Sequence, residues 1–453
     1  MRIPLDILYV LAGVLYLPVL AFGRLVRGKR RGGWAERFGR IRPRWGDQPC
    51  LWVHGVSMGE VNATRSLIEQ IERRLPMFEV VVSATTDTGF GRARSLYPGK
   101  KVFRYPLDFS WVVRRVLARI RPSAIVLMEL EVWPNLLAEA SRRGVPVAVV
   151  NGRLTKRKSM RRFGLPGVRA VARRMFAQLA WVGAQDEVYA RRFEALGVPP
   201  DRVQVTGSLK FDGATVADTV DGQDALAAAL GLAGDAPLWV AGSTGPGEEA
   251  IVLDAWQQLR EGRPDVQLAV IPRKPERFDE VARLVASRGF ACVRRSQHPD
   301  GSEPPAATEP RVLLGDTMGE LRKFYALADV VFVGRSLVDL GGSDMIEVAA
   351  LGKVPLLGPH TFNFDSAVRA LLAADGTVEV TDADTLAAAV GRLLEDPGER
   401  RGRNAAARQV VVGHRGATDR TVDALCELLG YRADHPPAGI ATPKLADLEA
   451  ATP

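Results

Sequence analysis

The stretch Cys50-Leu51-Trp52-Val53-His54-Gly55-Val56, running into Ser57-Met58-Gly59-Glu60, decides the fold. A short run that is apolar on both faces reads as a buried strand, and the residues after it open a helix. Four similar runs follow in the first half: EVVVSAT (79–85), AIVLMEL (124–130), VPVAVVN (145–151) and LAWVGAQ (179–185). Helical patterns fill the intervals, which is the signature of parallel strands joined by helices. A second series repeats the arrangement: PLWVAGS (237–243), VQLAVIP (266–272), RVLLGD (311–316), DVVFVG (329–334) and KVPLLG (353–358). The chain therefore reads as α/β, with two doubly wound, Rossmann-like domains. In open parallel sheets ligands gather at the carboxyl ends of the strands, and the cleft between two such domains is the expected site.

Composition agrees with this reading. The chain has 453 residues, 47% hydrophobic and 25% charged, which excludes a disordered, collagen-like or many-pass membrane protein. Cys50, Cys292 and Cys426 are too few and too scattered for a disulfide framework or a thiolate zinc site. The net charge of +9 hides an asymmetry: residues 1–212 carry 37 Lys and Arg against 17 Asp and Glu, and the rest carry 24 against 35. A basic first half suits an anionic surface, nucleic acid or a phosphorylated substrate.

Residues 7–23, ILYVLAGVLYLPVLAFG, are uncharged and mostly large and apolar. Only Arg2 precedes the run, whereas Arg24, Arg27, Lys29, Arg30 and Arg31 follow it, so the positive-inside tendency puts the rest of the chain in the cytoplasm. An uncleaved anchor that spans the membrane or lies in its interface is expected, with a buried first helix as the alternative. The expected organisation is an anchor (1–23), a first domain (24–212), a linker (213–235), a second domain (236–433) and a disordered tail (434–453), with a surface loop near 298–310.

Chemistry is sought just after each strand. Glu60 lies in the helix-opening turn after the first strand, placed to take a proton from a hydroxyl or only to complement the helix dipole. Glu129 and Glu131 follow the third strand and share a face if it continues. From Arg153 to Arg162 six of ten positions are basic, including Lys156 and Arg157, and beside a membrane this cluster suits lipid phosphates or is a solvated charge run. Nucleic acid is not expected, since aromatic residues are not interleaved. In the second half Ser243 and Thr244 lead a Gly-rich turn whose N–H groups suit anions, and Arg273-Lys274 end the next strand. Met318-Gly319-Glu320, Ser336, the Gly341-Gly342 pair and Glu347 complete a candidate nucleotide-sugar pocket.

These residues carry a family resemblance. HGVSMGEV (54–61), MELEVWPN (128–135), NGRL (151–154), GSLKFD (207–212), PRKPERF (272–278), GDTMGEL (315–321), GGSDMIE (341–347) and GPHTFNF (358–364) stand in order. In them the chain resembles the 3-deoxy-D-manno-octulosonic acid (Kdo) transferases of lipopolysaccharide synthesis, membrane-associated glycosyltransferases of the GT-B fold. The resemblance implies an inverting transfer of Kdo from CMP-Kdo to a lipid A precursor of the lipid IVA type, with no metal and no cofactor. It implies Glu60 as general base and Glu131 assisting on the acceptor side. Arg273 would contact the CMP phosphate, the backbone of Met318, Gly319 and Glu320 the cytosine, and Glu347 the ribose. Arg153, Lys156 and Arg157 would meet the acceptor's phosphates at the inner membrane.

Some positions depart from the family pattern, all on the donor side: Gly245 where a His follows Ser-Thr, Lys274 where a His follows Arg, Arg335 within Gly334-Arg335-Ser336, and Ser343-Asp344 after Gly342. A GT-B transferase using a UDP-sugar on a lipid acceptor, a catalytically silent membrane scaffold and a lipid-binding protein without chemistry stand as rival readings.

Overall fold

The computed structural model describes residues 5–7, 9–11, 32–155, 159, 160, 163, 167–232, 236–299 and 310–431. Lys156, Arg157, most of the expected anchor, most of the 298–310 loop and the expected tail lie outside them. Residues 5–7 and 9–11 are helical. No helix among the described residues is long and apolar enough to cross a membrane.

The chain divides into two compact units, Met1–Gly213 with Gly416–Pro453, and Ala214–Arg415. Each is built on a seven-stranded parallel sheet. In the first, β1 (Cys50–Gly55), β2 (Glu79–Ala84), β3 (Val102–Arg104), β4 (Ala124–Met128), β5 (Val147–Gly152), β6 (Trp181–Ala184) and β7 (Val203–Val205) stand in the order β3-β2-β1-β4-β5-β6-β7. Every residue of β1, β4 and β5 is buried, as expected of central strands covered by helices on both faces. Two apolar clusters flank this sheet, one around Trp52, Ile125 and Phe176 and the other around Leu51, Val126 and Ile68. At about 1.5–3 kcal/mol for each large buried side chain, these clusters are what hold the strands in register.

The second unit repeats the plan with β8 (Leu238–Thr244), β9 (Gln267–Pro272), β10 (Ala291–Arg294), β11 (Arg311–Leu314), β12 (Val330–Val333), β13 (Pro355–Leu357) and β14 (Val378–Glu379). Their order is β10-β11-β9-β8-β12-β13-β14. In both sheets the chain starts in the middle, builds one side, and then returns to build the other. The reversal falls between β1 and β4 in the first and between β8 and β12 in the second, and such a switch point leaves a crevice at the carboxyl ends of the two strands.

Two boundaries differ from the sequence reading. Residues 213–235 were expected to be a linker, yet Gln223–Ala229 is a helix of the second unit with Leu226 buried. Residues up to 433 were assigned to the second domain, yet helix Ala417–Leu428 packs on helix Met58–Arg74 of the first unit, contributing Ala417, Val422 and Leu425 to its core. Asp212 fixes the return by accepting from Gly416 N (2.8 Å) and Thr418 N (2.5 Å), and Arg420 donates to Thr206 O (2.9 Å).

Candidate functional site

At the carboxyl end of β1 the backbone turns into helix Met58–Arg74, with Ser57 as its N-cap. The Ser57 hydroxyl accepts from Glu60 N (3.4 Å) and donates to Glu60 Oε1 (3.0 Å), while Glu60 Oε2 accepts from Val56 N (2.9 Å). Ser57 thus caps the helix and is itself tied to the Glu60 carboxylate, whose second oxygen takes the N–H of Val56, the residue before the cap. The side chain is only half-buried, so the carboxylate is held in one place without being sealed off. Burial pushes its pKa up to about 7, Glu129 adds to that push and so, more weakly, does Glu131; the Val56 and Ser57 hydrogen bonds oppose it. A carboxyl poised near neutrality at a switch point is suited to exchanging a proton with a hydroxyl.

The neighbouring strand delivers the other two carboxylates. β4 stops at Met128, so the condition for Glu129 and Glu131 to share a strand face is not met. Instead Glu129 adopts φ 55°, turning the chain sharply, and its N–H donates to Val150 O (3.0 Å). Glu131 Oε2 accepts from Trp133 Nε1 (3.0 Å), and burial raises its pKa, against that hydrogen bond and helped by Glu129. Arg153, just past β5, brings its Nε to 4.0 Å from Glu129 Oε2. The first unit thus gathers Glu60, Glu129, Glu131 and Arg153 at one edge. The Lys156 and Arg157 candidates lie outside the described residues.

In the second unit the corresponding edge is organised by a residue that the sequence reading passed over. Glu248, in the first turn of helix Glu248–Gly262, is 0% exposed. Its carboxylate accepts from the N–H groups of Gly245 (2.7 Å), Arg335 (2.5 Å), Ser336 (2.8 Å) and Leu337 (2.9 Å). It ties the turn after β8 to the turn after β12. In the Gly-rich turn read from sequence as suited to anions, the N–H of Gly245 is therefore already taken by Glu248, as are those of Arg335, Ser336 and Leu337 in the turn after β12. The Ser336 hydroxyl is likewise internal, donating to Val333 O (2.6 Å) and accepting from Gly358 N (2.9 Å). Thr244 Oγ1 donates to the buried Glu249 (2.8 Å), which is also bound by Arg277. As direct donor contacts, the Ser336 and Thr244 side chains are corrected: both face the protein interior. Three of the four Glu248 partners lie 87 to 89 positions away in the chain, so the sequence carries no signal for them.

Other candidates do come together. Ser243, at φ 56°, is hydrogen-bonded by the buried Tyr325 and receives the Ser343 hydroxyl on its carbonyl (3.3 Å). Arg273 is exposed, and its N–H donates to Thr244 O (3.0 Å), which fixes the end of β9 beside the end of β8. Glu347 is half-buried; burial first, then Asp344, lift its pKa to about 7, and Arg322 and Arg273 pull the other way. Tyr325 and Arg322 were not singled out from sequence. Gly341 takes φ 85°, and a Cβ there would run into Asn363 and Phe362 at 2.3 and 2.6 Å, so only glycine fits. Gly342 donates to Arg335 O (2.7 Å). The Arg335 guanidinium is spent on Leu340 O (3.0 Å). Met318 is 71% exposed beside Gly319, where φ is 88° and the space around is open. Glu320 is held by Arg295 (3.0 Å); burial would raise its pKa, but hydrogen bonds from Thr317 and Arg295 bring it below the usual value. Its side chain is engaged, which leaves the backbone of 318–320 as the available surface.

A family model described as 3-deoxy-D-manno-octulosonic-acid transferase (kdotransferase) matches residues 32–213. The 3-deoxy-D-manno-octulosonic acid transferase of Bordetella pertussis is 39% identical over 423 residues, covering 89% of this chain and 95% of that protein. The enzyme of the same name from Haemophilus influenzae is 34% identical over 399 residues, covering 86% and 90%. Among solved structures, UDP-GlcNAc 2-epimerase from Neisseria meningitidis bound to UDP-GlcNAc matches with a TM-score of 0.58 at 16% identity, over 84% of this chain and 100% of that one. At that identity the likeness establishes the two-unit α/β fold alone. Relatives this similar, matched nearly end to end, settle the family: the chain belongs to the 3-deoxy-D-manno-octulosonic acid transferases and is a glycosyltransferase that transfers Kdo.

Proposed function

We propose that the donor is CMP-Kdo, that the acceptor is a phosphorylated lipid A precursor in lipopolysaccharide synthesis, and that Glu60 is the general base of an inverting displacement. The observation that carries this reading is the Glu60 carboxylate, held by the Val56 N–H and the Ser57 hydroxyl at a sheet switch point with a pKa of about 7. In the proposed step an acceptor hydroxyl attacks the anomeric carbon of Kdo while its proton passes to Glu60. The bond from that carbon to the phosphate oxygen breaks, and CMP leaves with the electron pair. The donor is already activated, so the protein's work is orientation, a base and stabilisation of the departing phosphate.

Each remaining residue takes a role consistent with its surroundings. Arg273, exposed at the end of β9, faces the CMP phosphate, and Glu347 accepts from the ribose hydroxyls. The backbone of Met318, Gly319 and Glu320 meets the cytosine, and the Gly341-Gly342 turn allows close approach of the donor. Glu131 assists at the acceptor side, where Arg153, with Lys156 and Arg157, meets phosphate. The finer architecture belongs to the same proposal: a GT-B arrangement with donor and acceptor domains facing a cleft, an N-terminal anchor in the inner membrane and catalytic domains on the cytoplasmic side. The apolar run 7–23 and the five cations between Arg24 and Arg31 support the membrane part.

The test is to incubate the purified protein with CMP-Kdo and a tetraacylated lipid A precursor and to read product masses. Products heavier by Kdo residues are expected. Turnover of a UDP-sugar in place of CMP-Kdo, or an unmodified precursor, would overturn the proposal.

A further inference from the structure

The outer flank of the first sheet carries a feature that the transfer reaction does not use. A cavity of about 670 Å³ lies beside edge strand β3, lined by Arg40, Arg42, Arg94, Lys100 and Lys101. Lys100 and Lys101 immediately precede β3, which runs parallel to β2 and so to β1. Lys100 and Lys101 thus stand at the amino ends of the strands, whereas Glu60 stands at their carboxyl ends. These are opposite edges of the same sheet.

Three of the five cations are exposed and, among the described residues, unpaired. Lys100 pairs with Glu72, and Lys101 donates to Pro43 O (3.2 Å). Among the described residues the side chains of Arg40, Arg42 and Arg94 have no hydrogen bond or ion pair. The lining carboxylate, Glu36, accepts from Arg104 N (3.0 Å). The crowding is felt at Lys101, whose pKa is lowered by burial, against Glu79, with Arg42 and Arg44 adding to the fall. A bound anion would relieve that repulsion.

An independent feature bears on what such an anion is attached to. The helix just before Arg40, Trp34–Arg37, begins a row of exposed rings: Trp34 (43% exposed), Phe38 (37%) and Trp111 (42%), with centroids 6.3 and 6.1 Å apart. The N-terminal segment is pinned to the same flank. Asp6 accepts from Ser110 N (2.9 Å), the Tyr9 hydroxyl donates to Asp108 (3.1 Å), and Ile7, Val10 and Leu11 are left exposed. Exposed cations on the same flank as exposed aromatic and aliphatic side chains match a phosphate carried at an apolar interface.

We propose that the cavity of Arg40, Arg42 and Arg94 is a phosphate-group site, separate from the reacting edge. Its chemistry suits the head group of an anionic lipid or a soluble phosphate compound, and the exposed aromatic row on the same flank of the sheet, past the carboxyl end of β3, favours the lipid. The site is independent of the Glu60 assignment.

The test compares the full chain with the variant Arg40→Gln, Arg42→Gln, Arg94→Gln. A control variant, Arg169→Gln, Arg173→Gln, Arg174→Gln, removes the same charge from helix Val168–Phe176 of the same unit. Flotation is measured with phosphatidylcholine vesicles and with vesicles containing phosphatidylglycerol, and pyrophosphate binding by calorimetry. For a lipid head group, the gain in affinity on going to anionic vesicles drops by about 10- to 100-fold in the cavity variant and much less in the control. For a soluble phosphate, the wild type binds pyrophosphate saturably and the cavity variant does not. Unchanged behaviour in both assays overturns the proposal, as does an equal loss in the control. Kdo transfer to a detergent-dispersed acceptor is expected to survive in the cavity variant, and its loss would refute the separation from the reacting edge.

Discussion

Replacing Glu60 by Gln removes a charge and little else. The amide keeps an oxygen for the Val56 N–H and an NH2 group for the Ser57 hydroxyl, so the helix start retains its shape. In the native protein the carboxyl titrates at about 7 against an ordinary value of 4.5, because it is buried and stands near Glu129 and Glu131. Between those two pH values the unfolded chain has released this proton and the folded one still holds it. Stability therefore falls as pH rises through that window, and the full cost of ionising Glu60 is present above it. A difference of this size corresponds to about 3 kcal/mol, reduced to about 1–2 kcal/mol by the partial solvent access of the side chain. Gln carries no such cost. The variant is expected to lose about 10²- to 10⁴-fold in transfer rate. It should also be more stable than the wild type at about pH 8, with the gain gone by about pH 4.5. Denaturant melts at both ends of the window, run beside product-mass assays, measure the two effects. In the wild type the rate should climb through pH 7 as the carboxylate forms. Transfer within a few-fold of normal in the variant would end the base assignment. A stability loss that does not depend on pH would mean that the cap, rather than the buried charge, dominates at this residue.

The second unit yields three more expectations. Arg273→Ala should raise the KM for CMP-Kdo by about 10- to 100-fold, the worth of a charge-assisted contact, with kcat less affected; an unchanged KM would remove Arg273 from the donor site. Glu347→Gln should weaken donor binding by about tenfold, and the gap to wild type should widen above pH 7, where the native carboxyl ionises. A gap that is flat with pH would place the ribose elsewhere. Glu248→Ala strips the partner from four N–H groups and should destabilise the second unit by about 3 kcal/mol or more, seen as an earlier transition in a denaturant melt. An unaltered transition would show that water replaces the carboxylate without loss.

The parts of the fold legible in the sequence are those whose physics is local. β1, β2, β4, β5, β6, β8 and β9 sit within two residues of the apolar runs that announced them, because a strand covered on both faces must be apolar throughout. The edge strands β3, β7, β10 and β14 were not seen. They are two to four residues long, partly exposed, and carry Arg, Gln or Glu, so no run distinguishes them from loop. The return of helix Ala417–Leu428 to the first unit was equally hidden, since its amphipathic pattern says that one face is buried and not against what. For the proposed site the sequence pointed to strand ends: Glu60 and Arg273 stand just after β1 and β9, while Glu347 lies in helix Ile346–Ala350, beyond the Gly341-Gly342 turn. What the sequence did not reveal is which polar groups are already spent. Thr244 and Ser336 resemble ligand contacts until their partners, Glu249, Val333 and Gly358, are known.

Backbone strain offers a separate line of argument about where the chemistry sits. Among the described residues six other than glycine take positive φ: Arg121, Glu129, Asn151, Ser243, Arg335 and Asp375. Arg121 and Asp375 are exposed and follow helices Ser110–Ile120 and Asp365–Ala373, where a left-handed residue is an ordinary way to stop. The other four lie at or just past the carboxyl ends of β4, β5, β8 and β12, beside the two switch points. Each costs about 1 kcal/mol that glycine would avoid. Each is also held by a specific bond: Glu129 N to Val150 O, Leu209 N to Asn151 Oδ1, Ser343 Oγ to Ser243 O, and Arg335 N to Glu248. A left-handed residue at a strand end swings the following chain across the sheet edge in a single step. At β4 this delivers Glu131 next to Glu60, and at β12 it lays the turn of Arg335 to Leu337 over Glu248. Left-handed residues kept at an energetic cost beside both switch points fit the edges proposed above for the chemistry.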